Sequence, residues 1–253
     1  MIVSVLSDIG ASRANNEDAL YASLDKSLPL YIVADGMGGH NAGDIASNMA
    51  IEIIKDEFIL NKEKLKSPRK IEKAIKTSFE KANKLIYQKS LHELDLEGMG
   101  TTVVLGYYFD NSFYIGHVGD SRAYILEDDS ISQITEDHTL VNELIKKGSI
   151  TKSQALHHPQ RNYITRALGT SRDIEIDINI ADFSSKETML LCSDGLYNMI
   201  EEDTIVENLN RASSLDEGVS SLVKIANENG GKDNITIIAI KLDDEVLEWL
   251  EKH

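Results

Sequence analysis

The sequence predicts an α+β protein built from antiparallel sheets rather than a doubly wound parallel one. Three observations point there: β-rich runs arrive in groups, two of them are joined by a two-residue turn, and helical stretches come in pairs between the groups. The 253 residues include 42% hydrophobic and 27% charged side chains, the usage of a folded globular chain.

Residues 3–7, 19–24 and 29–34 are short β-rich runs. Residues 101–109 and 112–118 are separated only by Asp110 and Asn111, which suit a tight hairpin turn. Further strands are predicted at 122–127, 174–181, 187–192 and 235–242. A first helix is expected over 44–60. The second is better marked: Ser67 is a candidate N-cap with Pro68 at the first helical position. Ile71, Ala74, Ile75, Phe79, Ala82, Leu85 and Ile86 then repeat at the helical period, so one apolar face must pack on a sheet. Two more helices fit 202–212 and 215–229, the latter stopped by Gly230 and Gly231. Residues 138–172 fit this scheme poorly. They hold a short amphipathic helix from Leu140 to Lys147, stopped by Gly148, and a Thr151/Gln154 capping box, and are read as an excursion over the surface. No repeat or linker divides the chain, so residues 1–242 are expected to form one domain and 243–253 an acidic tail with a frayed terminal helix.

Lys and Arg number 26 against 42 Asp and Glu, a formal charge of −16. Such a field is expected to repel phosphate backbones and anionic bilayers. With no basic stripe recognised, nucleic-acid binding is set aside. The start lacks a basic region followed by a long apolar stretch, and no run approaches the ~18 apolar residues that cross a bilayer. A cytoplasmic monomer is expected. The single cysteine, Cys192, cannot form an internal disulfide or a thiolate cage, so a metal site must use oxygen or imidazole.

Four aspartates recur at strand ends beside Gly, Ser or Asn. Asp35 closes Leu-Tyr-Ile-Val-Ala, Asp120 follows Tyr-Ile-Gly-His-Val-Gly, Asp194 follows Met-Leu-Leu-Cys-Ser, and Asp233 precedes Asn-Ile-Thr-Ile-Ile-Ala-Ile. Any one of them reads as an ordinary turn residue. All four together, with Glu17 and Asp18 adjacent in an Asn-Asn-Glu-Asp turn, argue for convergence. Converging carboxylates raise one another's pKa unless a cation neutralises them, and all-oxygen ligation selects Mg²⁺, Mn²⁺ or Ca²⁺. Such a site suits phosphoryl chemistry. Arg13 has the fork of donors that holds phosphate oxygens, and His40, on a glycine-rich stretch, is a candidate proton donor.

These residues carry a family resemblance. Asn16-Glu17-Asp18, Asp35-Gly36-Met37-Gly38-Gly39-His40, Gly98-Met99-Gly100-Thr101-Thr102, Gly119-Asp120-Ser121-Arg122, Ser193-Asp194-Gly195 and Gly231-Lys232-Asp233-Asn234 resemble, in order, the motifs of the bacterial PPM, or type-2C, metal-dependent protein serine/threonine phosphatases. The resemblance implies an αββα sandwich of two antiparallel sheets flanked by helix pairs. It implies hydrolysis of phosphoserine and phosphothreonine by a metal-activated water at a binuclear Mn²⁺/Mg²⁺ site. By the same resemblance Asp35 bridges both ions, Gly36 offers its carbonyl, and Asp194 and Asp233 ligate one ion. Glu17 and Asp18 act through metal-bound waters, Asp120 with Asp194 matches a third, weaker site, and Asn234 supports the ligands. Arg13 matches the phosphate-binding arginine, His40 the general acid, and 138–172 the flap. Phosphorylated proteins are the implied partners, among them a bacterial serine/threonine kinase and its substrates.

Other chemistries fit less well. A cysteine phosphatase needs an arginine six residues after its nucleophile, where Cys192 is followed by Asn198. Gly-Asp-Ser-Arg-Ala at 119–123 leads into a predicted strand rather than the helix that follows a serine-hydrolase elbow, and only His253 comes after Asp194. Neither Asp35 nor Asp194 has the second aspartate, two residues on, of an aspartyl-nucleophile phosphatase. The reading from another class is a catalytically silent phosphoprotein-binding module on the same fold, against which stands the full set of metal carboxylates.

Overall fold

The computed structural model describes residues 1–39 and 42–242. His40 and the tail 243–253 therefore lie outside the described residues.

Two antiparallel sheets form the centre. The first contains β1 (Ile2–Asp8), β11 (Ile235–Lys241), β10 (Glu187–Cys192), β7 (Arg122–Glu127) and β8 (Ser130–Gln133), in that spatial order. The second orders β2 (Asp18–Ala22), β3 (Leu30–Met37), β5 (Val103–Phe109), β6 (Ser112–Val118) and β9 (Asp177–Asp182), with the two-residue β4 (Gly100–Thr101) paired to β3. Alternation along each strand gives the sheets two apolar faces. Their inner faces meet through Tyr31, Val33, Val104, Phe113, Leu191 and Ile238. The outer face of the second sheet is covered by α1 (Ala42–Asn61) and α2 (Pro68–His92), with Ile32, Leu105, Ile54, Phe58, Ile75 and Phe79 in one core. The outer face of the first is covered by α5 (Asp194–Tyr197), α6 (Glu202–Arg211) and α7 (Leu215–Glu228), where Leu190, Ile237, Leu209 and Leu222 pack. The layers are thus helices, sheet, sheet, helices, an αββα sandwich.

Most predicted elements lie within a few residues of these bounds. Asp110 and Asn111 both adopt positive φ, 51° and 58°, as a two-residue turn between β5 and β6 requires. Ser67 precedes α2 with extended backbone and Pro68 opens the helix, although the Ser67 side chain makes no capping bond. Four elements depart from the prediction: β8 and α5 are additional, the strand expected over 101–109 is divided into β4 and β5, and β9 begins at Asp177 rather than 174. β8 is a polar edge strand with no apolar alternation, and α5 is a single turn, too short for a period to register.

Residues 138–172 leave the sandwich between β8 and β9. They carry α3 (Leu140–Lys146) and α4 (Lys152–Leu156), the latter closed by the predicted Thr151/Gln154 capping box. The excursion is tied back at its base by the His138 N–H to the Gly119 carbonyl and by reciprocal bonds between Thr101 and Leu168.

Candidate metal centre

Antiparallel pairing brings the chemistry-bearing residues to one end of both sheets. β3 and β6 end there, β2 and β5 begin there, and in the other sheet β10 ends where β7 and β11 begin. Asp18 and Asp35 are direct cross-strand partners on β2 and β3. Asp120 follows β6, Asp194 opens α5 just after β10, and Asp233 immediately precedes Asn234 and β11. Chain segments more than two hundred residues apart thus meet at one mouth.

Backbone packing there requires glycine. A Cβ on Gly36 would lie 2.1 Å from the Gly43 carbonyl oxygen, and one on Gly195 would lie 2.0 Å from that of Asn234. The Asp35 carbonyl accepts from the Thr102 N–H and the Thr101 hydroxyl, each at 2.9 Å, and the Asp35 N–H donates to Thr102 Oγ1. Both backbone polar groups of Asp35 are therefore fixed. Asn234 is a second fixture: its amide donates to the Ile9 and Asn15 carbonyls and its oxygen accepts from the Glu17 N–H at 2.8 Å. That side chain ties the loop carrying Arg13 and Glu17 to the start of β11, beside the bonds from the Ala11 and Ser12 N–H groups to the Gly231 carbonyl.

The aspartates are crowded and buried. Burial pushes the Asp35 carboxyl well above its ordinary range, and the charges of Asp18, Asp194, Asp120 and Asp233 push it further. Asp194 is raised in the same way by burial and by Asp120, Asp233 and Asp18. Burial, with Asp137 adding to it, lifts Asp120 to about 7, and burial lifts Asp18 to about 6 against the opposing bonds from Thr236 and Ser193. One oxygen each of Asp18, Asp120 and Asp194 is buried with no hydrogen-bond partner. Unpartnered acceptors beside mutually repelling carboxylates are the donor set that a hard divalent cation satisfies.

Among the described residues no three His, Cys, Asp or Glu side chains form a ready-made cage. Asp233 shows why. Its Oδ2 accepts from Arg13 Nη2 at 2.7 Å and its Oδ1 from the Asn234 N–H at 2.8 Å, so both oxygens are engaged. The predicted phosphate-binding arginine and a predicted ligand are paired with each other.

Several residues with no role assigned from sequence complete the surroundings. Ser193 Oγ donates to Asp18 Oδ2 at 2.7 Å, linking the two sheets. Tyr197 donates its hydroxyl to the Asp120 carbonyl at 3.0 Å. Its ring lies 3.5 Å beneath the Arg122 guanidinium, which in turn grips Asp137 through Nε and Nη2. A groove of about 840 Å³ leads away from Asp120 between the excursion and α6. Its lining includes Lys146, Lys152 and Arg161 together with Glu201, Glu202, Asp203 and Glu136, the last paired with Lys146 at 3.0 Å.

The protein phosphatase 2C family model matches residues 10–236. The chain belongs to the protein phosphatase 2C family. A serine/threonine phosphatase stp of Listeria innocua is 41% identical over 236 residues, covering 92% of this chain and 93% of that one. Among solved structures, the serine/threonine phosphatase of S. agalactiae superposes with a TM-score of 0.91 at 35% identity, covering 96% of this chain and 99% of its own. The catalytic domain of the serine/threonine protein phosphatase PstP in complex with 2 manganese ions gives 0.82 at 33% identity, over 96% and 98%. Membership accounts for the sandwich and for six separated motifs meeting at one mouth.

Proposed function

We propose that this 2C-family phosphatase hydrolyses the phosphate monoesters of phosphoserine and phosphothreonine in proteins. In this reading two divalent cations, Mn²⁺ or Mg²⁺, are held by Asp35, the Gly36 carbonyl, Asp194 and Asp233, with Glu17 and Asp18 beside them and a weaker third site at Asp120 with Asp194. The observation that supports this most is the burial of Asp18, Asp120 and Asp194 with an unpartnered oxygen each, around an Asp35 that all its neighbours repel. When bound, the cations supply Lewis acidity and the positive charge that lets an acidic protein accept a dianionic phosphate.

The chain's own groups do the rest. Released from Asp233, the Arg13 guanidinium offers two parallel donors to phosphate oxygens, and it is half-exposed at the mouth where substrate arrives. Water oxygen joins phosphorus as the ester P–O bond breaks, and the departing seryl or threonyl oxygen takes up a proton, for which His40 is the proposed donor. The products are the free hydroxyl and inorganic phosphate. The polypeptide flanking the phosphoresidue would lie in the groove beside Asp120, whose lining of both acidic and basic side chains suits a segment of mixed charge. Opposition to a serine/threonine kinase, in the cytoplasm and as a monomer, completes the proposal. No helix among the described residues is long and apolar enough to cross a membrane.

The test is hydrolysis of a phosphothreonine peptide by the full chain with Mn²⁺, with chelator, and in Asp35→Asn and Asp194→Asn variants. Turnover silenced by chelator and by each variant is expected. Tight binding of the phosphopeptide without turnover by the Mn²⁺-loaded native chain would overturn the reading in favour of a silent module.

A further inference from the structure

The formal charge of −16 is distributed unevenly. Residues 62–76 carry seven cations, Lys62, Lys64, Lys66, Arg69, Lys70, Lys73 and Lys76, against two acids, Glu63 and Glu72. They lie where α1 ends and α2 begins. α1 starts beside the carboxylate mouth, since Gly43 packs on Gly36, and its 20 residues run about 30 Å to the opposite pole. At that pole the turn between β2 and β3 is pinned to the end of α1 by the ion pair of Asp25 and Lys62 at 2.6 Å.

Part of this charge is already matched. Lys66 reaches Glu63 at 3.5 Å and Lys76 reaches Glu80 at 4.0 Å. Among the described residues Arg69, Lys70 and Lys73 make no ion pair, and Lys64 is held only by the Asn61 amide oxygen at 3.1 Å. Lys64, Lys70 and Lys73 line a pocket of about 430 Å³ with Leu65 and Ala74. Glu57, the acid in its wall, is turned to Lys81. Asp56 stays exposed on α1. Near these cations two aliphatic side chains stand in water: Leu24, 97% exposed on the pinned turn beside Asp25, and Leu60, 73% exposed in the last turn of α1.

We propose that this pole docks on an anionic lipid bilayer, with a headgroup phosphate among Lys64, Lys70 and Lys73 and with Leu24 and Leu60 in the boundary between headgroups and acyl chains. Cations flanking protruding aliphatic tips are the pattern of interfacial binding, where charge attracts and any apolar group that reaches the boundary is buried. An acidic protein would satisfy the lysines but needs a shaped apolar surface to cover two tips from separate elements. The carboxylate pole does not forbid docking. At physiological ionic strength the Debye length is about 8 Å, so charges about 30 Å away are screened from the membrane. In this proposal the repulsion of bilayers expected from net charge alone holds for the mouth and not for the opposite pole. Docked this way, the mouth faces away from the lipid, open to soluble phosphoproteins.

Sedimentation of the full chain with vesicles of equal parts phosphatidylglycerol and phosphatidylcholine tests this, against vesicles of phosphatidylcholine alone. Association with the anionic vesicles only, reversed by 1 M salt, is expected. Lys64→Gln/Lys70→Gln/Lys73→Gln should lower the partition coefficient about 100-fold, at about fivefold per cation. Leu24→Ser/Leu60→Ser should lower it about tenfold or more. Both sets are on the surface and far from the mouth, so hydrolysis of p-nitrophenyl phosphate should be unchanged. Absence of binding to anionic vesicles, or binding that survives both sets, overturns the proposal. So does equal retention on poly-glutamate with no response to the leucine changes, which would assign the pole to an acidic protein.

Discussion

At the scale of single residues, the centre is held under opposing demands, and substitutions should separate them. Asp35 is repelled by four neighbouring carboxylates, so Asp35→Asn removes a charge that destabilises the metal-free chain while removing the proposed bridging ligand. In chelator at pH 8 the variant should melt higher than the native chain, by about 2–4 °C for about 1 kcal/mol, whereas Mn²⁺-dependent turnover should fall at least about 100-fold. A variant that melts lower and loses activity would mark Asp35 as merely structural. Gly195 presents the opposite case. A methyl group there meets the Asn234 carbonyl oxygen at 2.0 Å, and Asn234 anchors the loop bearing Glu17. Gly195→Ala should therefore lower both the melting temperature and Mn²⁺ affinity, the latter read by calorimetric titration. Unchanged Mn²⁺ affinity would show that the strand end can shift without disturbing the ligands.

Among elements, those with a local signal (an apolar period, a turn or a cap) were legible in the sequence, whereas the polar edge strand β8 and the single turn α5 were not. The β5–β6 hairpin follows from Asp110 and Asn111 because two adjacent left-handed residues suffice to reverse the chain. α2 follows from its apolar stripe and Pro68, and α4 from a capping box spanning four residues. The aspartates were legible because each stands where an apolar run stops or starts, which is where sheet ends place side chains together. By contrast, the Arg13–Asp233 pair joins positions 220 apart and the Tyr197–Asp120 bond positions 77 apart, and no local pattern encodes either. Helix α7 gives a test at this scale. Ser214 Oγ accepts from the Glu217 N–H at 3.1 Å, capping a helix that buries Val219, Leu222 and Val223 on the first sheet. Ser214→Ala should cost about 1 kcal/mol, about 2–4 °C in melting temperature, with kcat unchanged. A loss of kcat at constant stability would contradict the assignment of α7 to support alone.

For the whole molecule, the proposed site links acidity and cation binding through the buried aspartates. Their folded-state pKa values are raised, Asp18 to about 6 and Asp120 to about 7, with Asp35 and Asp194 also shifted upward. Between an unfolded pKa near 4 and those values the folded chain binds protons that the unfolded chain has released. Stability from these groups is therefore fully present below about pH 4 and is lost as pH rises through 6 and 7, by up to about 1.4 kcal/mol per proton per pH unit. His117 acts with the opposite sign. Burial and the neighbouring His138 lower it to about 3, so its contribution is present above about pH 6.5 and is lost as pH falls toward 3. At the proposed site a divalent cation would take the place of the protons on the aspartates. The rise in melting temperature on adding Mn²⁺ should then be small at pH 5.5 and several degrees larger at pH 8, while chelator-treated chain loses stability over the same interval. Thermal melts at both pH values, with Mn²⁺ and with chelator, measure the difference. An equal Mn²⁺-induced rise at both would mean that the cation does not bind in place of those protons, and the buried aspartates would no longer be its site.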